Sequence, residues 1–119
     1  MAERIPTAGV HHGRLTVSDV DRACAFLSNG AVGLGIGPCP DPKRRGKGER
    51  FDENNAGLDH LSFAVASRKV LEDAVKVLDK RHVTHSEIRD LGEAFGIYIL
   101  IFRDPDNIQL ELSAPRGKA

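Results

Sequence analysis

Two residues in the second half of this 119-residue chain are of types that hold metals or move protons, and each sits in a strand-like stretch. His60 falls in Leu58-Asp59-His60-Leu61-Ser62-Phe63-Ala64-Val65, and Glu111 in Ile108-Gln109-Leu110-Glu111-Leu112-Ser113. Both stretches alternate polar and apolar residues. Successive side chains of a strand point to opposite faces, so His60 shares a face with Ser62 and Ala64, and Glu111 with Gln109 and Ser113. An imidazole and a carboxylate on such faces can bind a divalent cation or transfer a proton, or simply hydrogen-bond across a polar sheet surface. His11 and His12 are adjacent and point opposite ways. His12 is the one in register with Arg14 and Thr16, as His60 is with Ser62.

Other polar groups carry two readings each. Arg14 shares the face of His12 and can bind an anionic substrate group or be a solvated, ion-paired side chain. Tyr98 can place its hydroxyl near substrate or pack as a core aromatic. His85 lines a cleft or sits exposed at a strand edge. Cys24 lies on the apolar face of a helix, so packing and not chemistry is expected of it, and Cys39, among prolines in a loop, is incidental.

The elements that must position these residues follow from hydrophobic period and turn chemistry. Residues 10–17 alternate as a strand. Ser18 or Asp19 can cap a helix whose apolar face carries Val20, Ala23, Cys24, Phe26 and Leu27, ending at Gly30. Residues 31–36 make a second short strand, and Pro38 to Pro42 end regular structure. Lys43 to Arg50 holds five basic residues and two glycines. It reads as a solvated linker in preference to a phosphate-binding loop, for which the strand–loop–helix context is missing. Residues 58–66 form the next strand. Ser67 caps a helix running to about Arg81, with Glu72 and Lys76 spaced as an i,i+4 ion pair. A short strand from Val83 to Ile88, a connection from Asp90 to Ala94, an apolar strand from Ile97 to Phe102, a turn at Asp104-Pro105-Asp106-Asn107 and a strand over 108–113 complete the pattern, with a frayed tail from Pro115.

Bulk properties exclude several partner classes. With 40% hydrophobic and 29% charged residues, the composition is that of a globular domain. Seventeen basic residues balance seventeen acidic ones, so neither nucleic acid nor an anionic membrane is expected as partner. The N-terminus lacks the apolar core of a signal peptide, and two cysteines at unrelated spacings imply free thiols in a reducing, cytoplasmic setting.

The halves begin alike, His12-Gly-Arg-Leu-Thr-Val17 against His60-Leu-Ser-Phe-Ala-Val65, and Leu34-Gly35-Ile36 corresponds to Leu110-Glu111-Leu112. The interval from His12 to Gly35 is shorter than that from His60 to Glu111 by enough chain for about two strands and their turns. In order and repetition these segments, with Phe102-Arg-Asp-Pro-Asp-Asn-Ile-Gln-Leu-Glu111-Leu, resemble the vicinal oxygen chelate superfamily of glyoxalase I, fosfomycin and bleomycin resistance proteins and extradiol dioxygenases. The resemblance covers residues 10–115. It implies an α+β fold of paired βαβββ modules: a first module over 10–42 lacking about two strands, a linker over 43–56 and a complete second module over 57–115.

The resemblance also implies a metal site drawn from the first and last strands of each module. The matching positions are His12, Gly35, His60 and Glu111. Gly35 has no side chain, so His12, His60 and Glu111 remain. Such a set can hold Fe, Mn, Ni or Zn on one face and leave open positions, with Glu111 serving as ligand or catalytic base. The resemblance thus implies a divalent-metal-dependent enzyme acting on a small oxygen-bearing substrate, or a metal-free binding protein of the bleomycin-resistance type. A shortened module exposes a sheet edge. A homodimer, with modules exchanged or the basic loop covering that edge, is the expected remedy.

Overall fold

The computed structural model describes residues 5–6, 8, 12–24, 33–41, 43 and 50–117, with backbone alone for residues 12, 23–24 and 33–36. The chain forms two compact units, residues 1–46 and 47–119.

In the first unit, β1 (His12–Thr16) is followed by α1 (Val20–Cys24) and β2 (Gly33–Gly37). Leu15 and Val17 are buried while Arg14 and Thr16 are exposed, the alternation that a one-sided strand requires. Asp19 is the cap of α1: its Oδ1 accepts the Arg22 amide at 3.1 Å, satisfying one of the donors a helix start leaves open. β1 and β2 pair in parallel, with Arg14 beside Gly35 and Thr16 beside Gly37. The expected continuations of these elements over 10–11, 25–30 and 31–32 lie outside the described residues.

The second unit runs β3 (Leu61–Ala64), α2 (Arg68–Lys80), β4 (Arg89–Asp90), α3 (Gly92–Phe95), β5 (Ile97–Arg103) and β6 (Gln109–Pro115). Its sheet has the order β3-β6-β5-β4, with β3 parallel to β6 and the other neighbours antiparallel. This is a complete βαβββ unit. The first unit repeats its outer frame. Arg14 stands opposite Gly35 as Ser62 stands opposite Glu111. The Val17 amide bonds the Gly37 carbonyl at 2.9 Å just as the Val65 amide bonds that of Ser113 at 2.9 Å. The pairing of Gly35 with Glu111 inferred from sequence therefore holds in hydrogen-bond register.

The core of the second unit lies between α2 and the sheet. Phe102 pairs with Leu110, Leu100 with Leu112 and Tyr98 with Ala114, so these side chains share the face that α2 packs on. Leu71 of α2, Leu100 and Leu110 are completely buried, each contributing about 1.5–3 kcal/mol by removal from water. Charged residues of α2 form Arg68–Glu72 and Lys69–Asp73 pairs at 3.5 and 2.7 Å. Glu72 thus reaches back to Arg68 and not forward to Lys76 as its spacing suggested. Ser67 caps the helix with extended backbone and no side-chain bond. Its carbonyl accepts the Val70 amide at 3.1 Å.

Three local readings are corrected. The strand expected over 83–88 is reduced to a single bridge, His85 to Phe102, before β4. The Ser86 side chain intrudes there, its Oγ accepting the Ile101 amide at 3.0 Å where a backbone carbonyl would sit in a ladder. The connection over 90–94 contains a one-turn helix, α3, closed by Gly96 in the left-handed region at φ 69°. Arg116 is held where a frayed tail was expected: its amide bonds the Gly96 carbonyl at 2.8 Å and its Nε the Asp90 carboxylate at 3.0 Å.

Candidate metal site

The second unit brings His60 and Glu111 together. Glu111 is on the sheet face opposite α2, in a row with Gln109 and Ser113 on β6 and beside Ser62, Ile101 and Arg103 of the flanking strands. His60 lies just before β3, because the ladder begins at Leu61 opposite Leu110. The Gln109 side chain takes over at that point, its Nε2 donating to the Asp59 carbonyl at 3.1 Å. The result sets His60 Nε2 at 3.7 Å from Glu111 Oε2. His60 is exposed at the surface, while Glu111 is buried.

Each of these two side chains is held by its other polar atom. His60 Nδ1 lies 2.8 Å from Asp59 Oδ1. Glu111 Oε1 accepts the Ser113 hydroxyl at 2.9 Å, and Ser113 Oγ lies 2.5 Å from Ser62 Oγ. An ionised carboxylate only accepts, so Ser113 donates to Glu111 and Ser62 donates to Ser113. The chain of contacts continues outward from Asp59. Gln109 Nε2 donates to Asp59 Oδ1 at 2.9 Å, Arg103 donates to Gln109 Oε1 at 3.3 Å, and the Arg103 guanidinium forks onto both Glu53 oxygens at 2.7 Å. The bond from Arg103 holds the Glu53 carboxyl down at about 2. Residues 50–56, read as linker, are thus tied to the second unit, with the Phe51 amide on the Asp106 carbonyl at 2.9 Å and Asn107 Nδ2 on the Phe51 carbonyl at 3.0 Å.

Of the other sequence candidates, His12, Arg14 and Cys39 belong to the first unit and Tyr98 and His85 to the second. His12 begins β1 in the first unit, and its side chain lies outside the described residues. Arg14, exposed in the same unit, donates to the Pro38 carbonyl at 3.2 Å and to Thr16 Oγ1 at 3.3 Å. Its guanidinium lies over Gly37, where a Cβ would overlap it. Tyr98 is on the α2 side of the sheet, opposite to Glu111, with the Arg68 guanidinium 4.8 Å from its ring centre. His85 is half-buried between α2 and the strand edge, bonded to Asp79 and Ser86. Cys39 donates weakly to the Asp41 carbonyl. The sequence reading did not single out Asp59, Gln109, Arg103, Glu53 or Ser113 as functional. The available signal was proximity, since Asp59 adjoins His60, and Gln109 and Ser113 flank Glu111 at strand spacing.

Among the described residues, no three His, Cys, Asp or Glu side chains gather into a cluster that could hold a metal ion. Two donors do fit. Nitrogen and oxygen ligands sit about 2.0–2.2 Å from a transition metal, and a 3.7 Å separation between them is spanned by one ion at a somewhat wider than tetrahedral angle. A nitrogen donor, a carboxylate oxygen and outer atoms already hydrogen-bonded suit Fe, Mn, Ni or Zn.

Comparison with known proteins decides the family. No protein-family model matches the chain, and no curated protein matches it in sequence. Among solved structures, a glyoxylase/bleomycin resistance protein/dioxygenase domain from Frankia sp. EAN1pec is 30% identical over 96% of both chains, with a TM-score of 0.71. The chain belongs to the glyoxalase/bleomycin resistance/dioxygenase family. The same fold is seen in the fosfomycin resistance protein FosX of Listeria monocytogenes, 19% identical over 95% of this chain and 94% of that one with a TM-score of 0.65. FosX of Mesorhizobium loti is 15% identical over 95% of each chain, with a TM-score of 0.63. The glyoxalase-like α+β fold of the chain agrees with its βαβββ second unit and the parallel β1–β2 frame of its first. No helix among the described residues is long and apolar enough to cross a membrane.

Proposed function

We propose that this member of the glyoxalase/bleomycin resistance/dioxygenase family is a divalent-metal-dependent enzyme acting on a small oxygen-bearing substrate. The observation that carries the reading is the 3.7 Å approach of His60 Nε2 to Glu111 Oε2, with the opposite atom of each side chain engaged by Asp59 and Ser113. The resemblance adds His12 as the proposed third ligand, and Gly35, which matches Glu111 in register, has no side chain to offer as a fourth. His60 and Glu111 would hold the ion, whose chemistry when bound would be to polarise a substrate oxygen or lower the pKa of bound water. Among the described residues, Glu111 is the carboxylate that faces His60 Nε2, placed to ligate or to move a proton. Ser113 steadies its inner oxygen and leaves Oε2 to face the reacting groups.

Metal analysis of protein purified without chelator, followed by titration with Fe(II), Mn(II), Ni(II) and Zn(II), tests this. Wild-type protein is expected to bind one equivalent and His60→Ala to lose it. Wild-type protein with no bound metal and no affinity for any of the four overturns the reading. Light scattering tests the homodimer, which a monomer at micromolar concentration would refute.

One observation favours a second reading. Gly35 stands in hydrogen-bond register where Glu111 stands in the other unit, so one ligand position is bare. A metal-free binding protein of the bleomycin-resistance type would need none of the ligands. Ligand-dependent thermal stabilisation indifferent to chelator would distinguish it from the enzyme.

A further inference from the structure

We infer that Asp59 is a positioning residue that fixes the tautomer and aim of His60, and that Gln109, Arg103 and Glu53 hold Asp59 in place for that task. The inference rests on the reading of His60 as a metal ligand, and it concerns a group outside the ligand set. A neutral imidazole carries one N–H, and the partner of one ring nitrogen decides the state of the other. At His60 the partner of Nδ1 is a carboxylate oxygen, Asp59 Oδ1, at 2.8 Å. A carboxylate accepts and does not donate, so the proton resides on Nδ1. The lone pair is then on Nε2, the nitrogen that faces Glu111 Oε2. In the opposite tautomer Nδ1 would set its lone pair against the Asp59 oxygen, and Nε2 would carry a proton where a cation is to bind.

Asp59 is exposed, and an exposed carboxylate next to a histidine is ordinarily free to swing away. Here it is restrained twice by one side chain, since Gln109 Nε2 donates to both its carbonyl at 3.1 Å and its Oδ1 at 2.9 Å. Gln109 itself has only one orientation compatible with its neighbours. Its Oε1 accepts from Arg103 at 3.3 Å, so its amide nitrogen must point to Asp59. Arg103 is locked by the two-pronged 2.7 Å bond to Glu53. The alternation of donors and acceptors from Glu53 to His60 is therefore determined at each step. Gln109 lies on the same row of β6 as Glu111, so one strand sets the carboxylate and, through its neighbour two positions away, the histidine. A residue holding a metal-ligating histidine in this way fixes the tautomer and orientation of its ring.

The test is the 15N–1H long-range correlation spectrum of metal-free protein, at a pH where the ring is neutral. Wild-type His60 is expected to show a protonated Nδ1 and an unprotonated Nε2. Asp59→Ala is expected to lose that bias. Asp59→Asn is expected to keep it, because Gln109 Nε2 holds the amide oxygen toward His60. Zn(II) or Mn(II) affinity, read by calorimetry, is expected to fall about 10–100-fold in Asp59→Ala and less in Asp59→Asn. An Nε2–H tautomer in the wild type, or a spectrum unchanged by Asp59→Ala, overturns the inference. A wild-type protein with the Nδ1–H pattern that takes up none of Fe(II), Mn(II), Ni(II) and Zn(II) supports the positioning by Asp59 and overturns the proposed function instead.

Discussion

His60 and Glu111 face one another at 3.7 Å across the start of the β3–β6 pair, each fastened at the atom that points away from the other. On the proposed function a cation would bind this preformed pair with little reorganisation, so binding should appear as stabilisation of the folded state. A cation at 100 times its dissociation constant adds about 2.7 kcal/mol. Wild-type protein should therefore melt at a higher temperature with Mn(II) or Zn(II) in such excess, and EDTA should reverse the shift. Glu111→Gln keeps the shape and removes the charge, and its melting temperature should respond far less to either metal.

The hydroxyl of Ser113 is the polar partner of a buried carboxylate. Its loss leaves Glu111 Oε1 without the donor at 2.9 Å, and an unsatisfied buried group costs about 1–3 kcal/mol. Ser113→Ala should lower the unfolding free energy by about that amount in urea titrations. Ser62→Ala removes a hydroxyl one step further out, donated to Ser113 and not to the carboxylate, and should cost less. Equal costs would show that Glu111 draws nothing particular from Ser113.

Both nitrogens of His85 face acceptors, Nε2 the Asp79 carboxylate at 2.6 Å and Nδ1 the Ser86 carbonyl at 2.5 Å. Only the imidazolium can donate to both. The bond to Asp79, followed by that to Ser86, accordingly raises the His85 pKa above its ordinary 6.5. A group with a raised folded-state pKa stabilises the fold fully below its unfolded value, and the contribution is lost as pH rises through the folded value. Chemical denaturation from pH 6 upward should show wild-type stability falling more steeply than that of His85→Gln. A parallel pair of curves would show that His85 does not carry this linkage.

The end of α2 is closed by a histidine where glycine is usual. His82 has φ 57°, its amide bonds the Asp79 carbonyl at 3.1 Å, and the Val83 amide bonds that of Leu78 at 2.9 Å. This is the Schellman arrangement, with His82 at the left-handed position. That conformation costs a residue with a Cβ about 1–2 kcal/mol, partly offset in glycine by the greater freedom of its unfolded chain. His82→Gly should raise the urea midpoint by the equivalent of about 0.5–1 kcal/mol without changing the slope of the transition.

The sequence made His60 and Glu111 legible because both lie beside alternating strands, where a period of two assigns faces. The same rule gave no purchase on Ile97 to Phe102. A strand apolar on both faces has no polar partner to orient it, and it is the Arg68 guanidinium of α2 over the Tyr98 ring that shows Tyr98 facing the helix. The βαβββ order was legible from helical and strand periods. The short elements after α2 were not, because the Ser86 hydroxyl takes a backbone position in the pairing. Asp59 and its support were hidden for a different reason. Glu53, Asp59, Arg103 and Gln109 meet only when the stretch before β3 folds back beside the β5–β6 hairpin, and no local pattern encodes that meeting.

Asp104 closes that hairpin and offers a separate check on how it is held. Its Oδ1 accepts the amides of Asp106 and Ile108, both at 2.8 Å, and the residue is buried. Asp104→Ala leaves both amides without that partner and should cost about 2–3 kcal/mol. Asp104→Asn keeps an acceptor oxygen and removes a buried charge, so it should cost little. The two variants should also differ from wild type in pH dependence. Burial pushes the Asp104 carboxyl up, against the opposing effect of the Ile108 and Asp106 amides. The folded state therefore takes up a proton at higher pH than the unfolded one. Through this group alone, wild type gains stability as pH falls from the raised value toward 3.8. Asp104→Asn lacks that gain, so the stability of wild type relative to Asp104→Asn should rise as pH falls through this window. A difference that stays flat, or shrinks, would mean that the amide bonds outweigh burial and that the carboxyl is ionised more readily in the fold than out of it.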